Sequence, residues 1–232
     1  MLHSNRYRNT RFGHTCEMNL FDSCGAGEIT EEILAPGAVV LRQFANSREA
    51  AILSAIEAVA AQAPFRHMIT PGGYRMSVAM TNCGPLGWTS DPSGYRYSAI
   101  DPETTNPWPP MPEVFQELAT AAANAAGFPG YRPDACLINR YEPGTKLSLH
   151  QDKDEQDYTQ PIVSVSLGIP AIFLFGGLKR AGKPIRVHLT HGDIVVWGGP
   201  SRLRYHGILP LKEADHPLFG RYRINLTFRK AC

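Results

Sequence analysis

Residues 161–177 read PIVSVSLGIPAIFLFGG, and this stretch decides the fold. Two runs rich in Ile, Val, Leu and Phe are parted by Gly168 and Pro170; each is strand-length and too short for a stable helix, so the spacing predicts two β-strands joined by a turn. Runs of the same kind recur at 38–44 (AVVLRQF), 76–82 (MSVAMTN), 135–141 (ACLINRY), 184–190 (PIRVHLT), 193–199 (DIVVWGG) and 224–229 (INLTFR). So many short strands punctuated by Gly and Pro imply a mainly β protein, a sandwich or jelly roll with helices on one side. Two helices are expected. One begins at Asn46, which with Glu49 has the spacing of a capping box, carries Ile52, Leu53, Ile56 and Val59 at three-to-four spacing, and ends before Pro64. The other, from about residue 112 to 126, lines up Val114, Phe115, Leu118 and Ala122 and stops at Gly127. Both look like packing elements.

The strand-like LSLHQD at 147–152 contains H-x-D. Side chains at i and i+2 of an extended segment share a face, so His150 and Asp152 would point one way and Gln151 the other. His206, in YHG, could add a second imidazole. Two imidazoles and one carboxylate suit non-haem Fe(II) and leave three positions of an octahedral ion open. H-x-D alone is a weak sign, since two polar residues at a strand end are common. At the C-terminal end, RYRINLTFRKAC alternates Arg223, Asn225, Thr227 and Arg229 with Ile224, Leu226 and Phe228, the pattern of a strand with one apolar and one polar face. Arginines there suit a small dicarboxylate, which guanidinium forks bind with paired, charge-assisted hydrogen bonds. An exposed terminal strand is the plainer alternative.

Composition sets wider bounds. A chain of 232 residues with 43% hydrophobic content can bury a sizeable core, and its length fits one elaborated domain. A formal charge of +2 does not announce a nucleic-acid binder. Basic residues do cluster locally, at Lys179, Arg180, Lys183 and Arg186, and at Arg202 and Arg204 before His206; an ordinary solvated loop is the plainer reading of these. The five cysteines form no C-x-x-C pair, which argues against a disulfide framework or zinc site and fits a reducing cytosol. No apolar run is long enough to span a bilayer and the first thirty residues lack a signal-peptide core, so a cytoplasmic protein without membrane association is expected. The opening residues, polar and aperiodic through about 17 to 19, read as a flexible tail, and Met18 is a candidate start. Segment 74–97, rich in Gly, Pro, Tyr and Trp, breaks periodicity; Trp88, Tyr95 and Tyr97 there could offer a stacking surface for a base or simply tack a loop onto the sheet.

The motifs LINRYEPGTKLSLHQDKDE (137–155), PIVSVSLGIPAIFLFGGLKR (161–180), HGDIVVWGGPSRLRYHGI (191–208) and RINLTFR (223–229), with TPGGYRMSVAMTNCGPLGW (70–88) upstream, resemble the AlkB family of Fe(II)- and 2-oxoglutarate-dependent dioxygenases, which remove alkyl groups from nucleic-acid bases. The resemblance covers nearly everything from about residue 20. It implies a double-stranded β-helix (jelly-roll) core in one domain, 20–232, with an N-terminal helical and aromatic-lid extension whose nucleotide-recognition lid spans about 65–110. It places Fe(II) on His150, Asp152 and His206. It places 2-oxoglutarate on Arg223, with Tyr141, Asn225, Asn139 and Arg229 around it, and dioxygen as the second cosubstrate. The substrate nucleotide falls to Trp88, Tyr95, Asp154 and Arg180, with Lys146 and Lys153 as phosphate contacts. The implied reaction is oxidative demethylation of 1-methyladenine and 3-methylcytosine in single- or double-stranded DNA by a monomer, releasing formaldehyde and succinate. RNA demethylation or protein hydroxylation are rival readings within the superfamily; a cupin-like metal enzyme or a non-catalytic nucleic-acid module lies further off.

Overall fold

The computed structural model describes residues 30–232, so the expected tail and the candidate start at Met18 lie outside the described residues. Two sheets face each other. The larger has seven strands in the order β1 (Glu31–Ala35), β2 (Ala38–Leu41), β11 (Ile194–Trp197), β8 (Ile162–Gly168), β13 (Arg223–Arg229), β6 (Ala135–Tyr141) and β3 (Ala79–Cys83). The smaller has four, β10 (Ile185–Leu189), β9 (Ala171–Phe175), β12 (His206–Ile208) and β7 (Leu147–His150). Neighbours pair antiparallel throughout both. The two-run reading of 161–177 holds: β8 leaves one sheet, turns, and β9 enters the other.

Strand alternation sorts the side chains into two cores. Val163, Val165 and Leu167 of β8 and Ile224, Leu226 and Phe228 of β13 point outward and are covered by helices α1 (Glu49–Gln62) and α2 (Glu113–Ala125) through Ile52, Ile56, Val59, Phe115 and Leu118. Between the sheets a second core gathers Val40, Tyr141, Ile162, Phe173, Phe175, Val195 and Trp197. β13 is therefore enclosed on both faces, all seven residues buried, and its arginines do not meet solvent. That excludes the exposed terminal strand.

Two local expectations are corrected. Asn46 does not cap α1: it opens a short 3-10 turn, Asn46–Arg48, and the helix follows with no side-chain cap bond. Glu49 is drawn away because its carboxylate accepts the Nε2–H of His191 at 3.0 Å while Nδ1 of that ring accepts the amide of Gly168. Segment 74–97 is not simply loop, for it contains a hairpin, β4 (Gly87–Asp91) and β5 (Gly94–Ser98). The turn is set by the Asp91 carboxylate, which accepts the Ser93 amide, and by Gly94 at φ +135°. The paired strand β7 ends at His150, yet His150 and Asp152 still turn the same way, as expected.

Gly168 closes β8 opposite Arg223. Its φ is +81°, and a Cβ there would lie 2.2 Å from the carbonyl oxygen of Tyr222. Gly168→Ala should therefore lower stability by roughly 2 kcal/mol or more, since strain and overlap act together. Urea unfolding measures this, and an unchanged midpoint would contradict the turn described.

Candidate active site

The metal-binding candidates meet where β7 ends and β12 begins. His150 and His206 are direct partners across that strand pair, with ring centroids 4.3 Å apart. Asp152, two residues past the strand, places Oδ1 3.6 Å from His150 Nε2 and Oδ2 3.7 Å from His206 Nε2. The three ligand atoms lie within 4.8 Å of one another, which is close enough to share one ion. Backbone carbonyls set the tautomers: Nδ1 of His150 faces Ser148 O at 2.9 Å and Nδ1 of His206 faces Arg204 O at 3.1 Å. A carbonyl only accepts, so each Nδ1 carries the proton and each Nε2 keeps its lone pair for a metal.

The charge states suit that task. Burial first, then the neighbouring His150, push the His206 imidazole down to about 4, so it stays neutral. Burial works to raise Asp152, but the Arg229 guanidinium, by its charge and its hydrogen bonds, outweighs it and holds the carboxyl well below the usual range. Neutral imidazole and ionised carboxylate are the forms that ligate a cation. The donor set therefore fits a divalent iron.

Arg229 donates from Nε and Nη2 to Asp152 Oδ2, at 3.0 and 2.9 Å, which leaves Oδ1 on the side of His150. Arg223 is held quite differently. It is 2% exposed, gives one hydrogen bond, Nη2 to Ser166 Oγ at 2.9 Å, and leaves Nε and Nη1 buried without a partner. The Tyr141 ring lies 4.9 Å from its guanidinium carbon and Tyr141 is its cross-strand partner. A buried cation with two idle donors is costly unless an anion completes it, so this pocket fits a carboxylate of 2-oxoglutarate. Asn225 and Asn139, paired on adjacent strands, bond each other at 3.3 Å, and Asn225 also donates to Ser164 Oγ and Val165 O and accepts from Thr227.

On the outer side, Trp88 donates from Nε1 to Asp154 Oδ2 at 2.8 Å and stacks on Tyr95, with centroids 5.5 Å apart and planes 15° from parallel. Tyr97 does not join that stack; its hydroxyl donates to Glu155 at 2.6 Å. Arg180 is exposed in the β9–β10 connection, and Lys146 and Lys153 are exposed near β7. No hydrogen bond or ion pair joins these three to the other site residues among the described residues. Arg202 is not in a solvated loop: it is 3% exposed and bonds Asp152 O, Gln160 O and the Glu155 carboxylate. Sequence reasoning missed Glu155 because K-D-E looks like any exposed turn, and its partners are distant in the chain.

Comparison with known proteins is consistent with this geometry. Residues 37–229 match the family model of the 2OG-Fe(II) oxygenase superfamily. The chain is 61% identical over 212 residues to the alpha-ketoglutarate-dependent dioxygenase AlkB of Escherichia coli K12, covering 91% of this chain and 98% of that protein. It is 45% identical over 188 residues to the AlkB homolog of Caulobacter vibrioides NA1000, with 80% of this chain and 83% of that protein covered. The solved structure of OsALKBH1 superposes with a TM-score of 0.77 at 30% identity, over 87% of this chain and all of that one.

Two outcomes follow from the electrostatics. An unfolded histidine titrates near 6.5 and folded His206 near 4, so as pH falls through that window the unfolded state takes up the proton that the fold refuses. Metal-free protein should lose up to roughly 3 kcal/mol between pH 6.5 and 4 through this residue. Unfolding of wild type and His206→Gln across that window isolates the effect, and parallel curves would refute it. Arg223→Met, which removes the unpaired buried charge, should leave the metal-free protein as stable as wild type or more so while abolishing any rise in thermal midpoint on adding 2-oxoglutarate. A strongly destabilised variant would show that Arg223 is already paired.

Proposed function

Because this chain belongs to the 2OG-Fe(II) oxygenase superfamily, we propose that His150, Asp152 and His206 hold its iron, that Arg223 takes the distal carboxylate of 2-oxoglutarate, and that Trp88 and Asp154 receive the base. The protein is an Fe(II)- and 2-oxoglutarate-dependent dioxygenase of the AlkB kind, acting with dioxygen to demethylate alkylated bases in nucleic acid. The observation that carries the residue assignment is the convergence of the two Nε2 lone pairs and the Asp152 carboxylate on one point.

When bound, iron and 2-oxoglutarate supply the oxidation: dioxygen and the keto acid are consumed, succinate and carbon dioxide leave, and the N-methyl group becomes an N-hydroxymethyl group that loses formaldehyde. The protein's share is positioning and enclosure. Ser148 O and Arg204 O aim the two imidazoles. Arg229 fixes the carboxylate of Asp152 from behind, so a metal there meets a ligand already oriented. Arg223, stripped of water by both sheets, selects a dicarboxylate over a keto acid without a second carboxylate. Trp88 offers a ring face, worth about 1 to 3 kcal/mol for a stacked base. Asp154, now holding the indole N–H, can accept from an exocyclic amino group beside a methylated ring nitrogen. Adenine carries it at C6 beside N1 and cytosine at C4 beside N3, where guanine and thymine carry a carbonyl at the corresponding carbon, so we assign 1-methyladenine and 3-methylcytosine in DNA as the lesions, on a strand opened or unpaired at the lesion, where extrusion costs least. A cytoplasmic monomer and the exposed Lys146, Lys153 and Arg180 along the strand's path complete this reading. No helix among the described residues is long and apolar enough to cross a membrane.

Formaldehyde release from four single-stranded oligonucleotides, each with one methylated base, is the test. Wild type should act on 1-methyladenine and 3-methylcytosine most rapidly; Asp152→Ala should abolish turnover on all four, and Asp154→Ala should narrow the gap between these two lesions and the methylated guanine and thymine, which present a carbonyl in place of that amino group. A uniform loss in Asp154→Ala would remove it from base recognition, and activity in Asp152→Ala would remove the metal assignment. Faster turnover on the same lesions in RNA would make RNA the substrate.

A further inference from the structure

Beneath the site, two buried arginines and two buried carboxylates form a closed network. Arg229 pairs with Asp152 and stands 3.4 Å from Glu155 Oε1; Arg202 pairs with Glu155 Oε2 at 2.9 Å and donates to the backbone carbonyl of Asp152 at 2.8 Å. Formal charges balance, so each carboxylate is needed. Glu155 is where the network leaves the two sheets, because its Oε1 also accepts the Tyr97 hydroxyl from the hairpin. Trp88 and Tyr97 are direct partners across β4 and β5, and they grip consecutive acids, Trp88 holding Asp154 and Tyr97 holding Glu155. A base drawn onto Trp88 competes for Asp154 and loads the same cross-strand pair that holds Glu155.

We propose that Glu155 is a positioning residue which, through Tyr97 on one side and Arg229 and Arg202 on the other, joins the seating of the base on the β4–β5 hairpin to the orientation of Asp152. This rests on the reading of the site given above, with the base at Trp88 and the metal at Asp152. The consequence is coupling: keto-acid oxidation is matched to demethylation while the Tyr97–Glu155 bond is intact, and runs without it when that bond is cut.

Tyr97→Phe removes one hydroxyl and leaves the ring. Two quantities are read on the full chain. One is formaldehyde per succinate on a 1-methyladenine oligonucleotide at saturating 2-oxoglutarate. The other is the visible absorption of the Co(II)-substituted protein with 2-oxoglutarate, before and after the same oligonucleotide is added. The ratio should fall by about threefold or more, and the cobalt spectrum, which shifts in wild type, should no longer respond although the oligonucleotide binds. Glu155→Gln should behave alike and Glu155→Asp should recover part of both; if Glu155→Gln fails to fold, Tyr97→Phe decides alone. A wild-type ratio and a wild-type spectral response in Tyr97→Phe, or weaker oligonucleotide binding with the ratio intact, would overturn the proposal. So would a wild-type cobalt spectrum that ignores the bound oligonucleotide. If wild type releases no formaldehyde, the substrate reading is what fails, and the cobalt comparison, which needs binding but no turnover, still decides the role of Glu155.

Discussion

A strand that carries charge on one face and is covered on both has to be neutralised from inside the protein. β13 is that strand: Ile224, Leu226 and Phe228 are taken by the helices, and Arg223, Asn225, Thr227 and Arg229 are shut between the sheets. Transfer of an unpaired guanidinium into such a space is too costly to persist without compensation. Arg229 is compensated within the chain by Asp152 and Glu155, and in meeting that demand it also fixes a metal ligand. Within the chain Arg223 meets a serine hydroxyl and the Tyr141 side chain, ring and hydroxyl, but no carboxylate. One arginine thus orients Asp152, and the other is the one we propose for a carboxylate of the cosubstrate.

The histidines are arranged by the smaller sheet. The register of β12 on β7 puts His206 opposite His150, and the carbonyls two residues earlier in each chain segment take the Nδ1 protons. Among the described residues no α-helix carries a candidate site residue: α1 and α2 close the outer face. The hairpin is anchored by Trp88 and Tyr97 to Asp154 and Glu155, which follow Asp152 in the chain.

Much of this was legible in the sequence, and the failures have physical reasons. Period-two alternation in RINLTFR identified the polar face of β13, but could not say that a second sheet would cover it, because enclosure depends on strands far away in the chain. H-x-D runs past the paired strand, yet His150 and Asp152 turn the same way, and contacts from Arg229 and Arg202 that no local pattern reveals hold the latter. Gly and Pro in 74–97 hid a hairpin whose strands are five residues each, short enough for turn residues to dominate the pattern. Asn46 and Glu49 had the spacing of a cap, and a tertiary contact with His191 won over the local one. Glu155 and Arg202 looked like solvated charges because nothing local in K-D-E or S-R-L-R reveals a partner tens of residues distant.

Arg223 has two buried donors that a second carboxylate on the cosubstrate would satisfy. Calorimetric binding of 2-oxoglutarate and of 2-oxopentanoate, which has the same chain length but a methyl end, to the Mn(II)-loaded protein tests this most directly. A charge-assisted hydrogen bond to a buried group is worth about 1.5 to 3 kcal/mol, so 2-oxoglutarate should bind at least roughly tenfold more tightly. Equal affinity for the two acids would mean that Arg223 is satisfied within the fold and that the enclosed face of β13 has no ligand to receive.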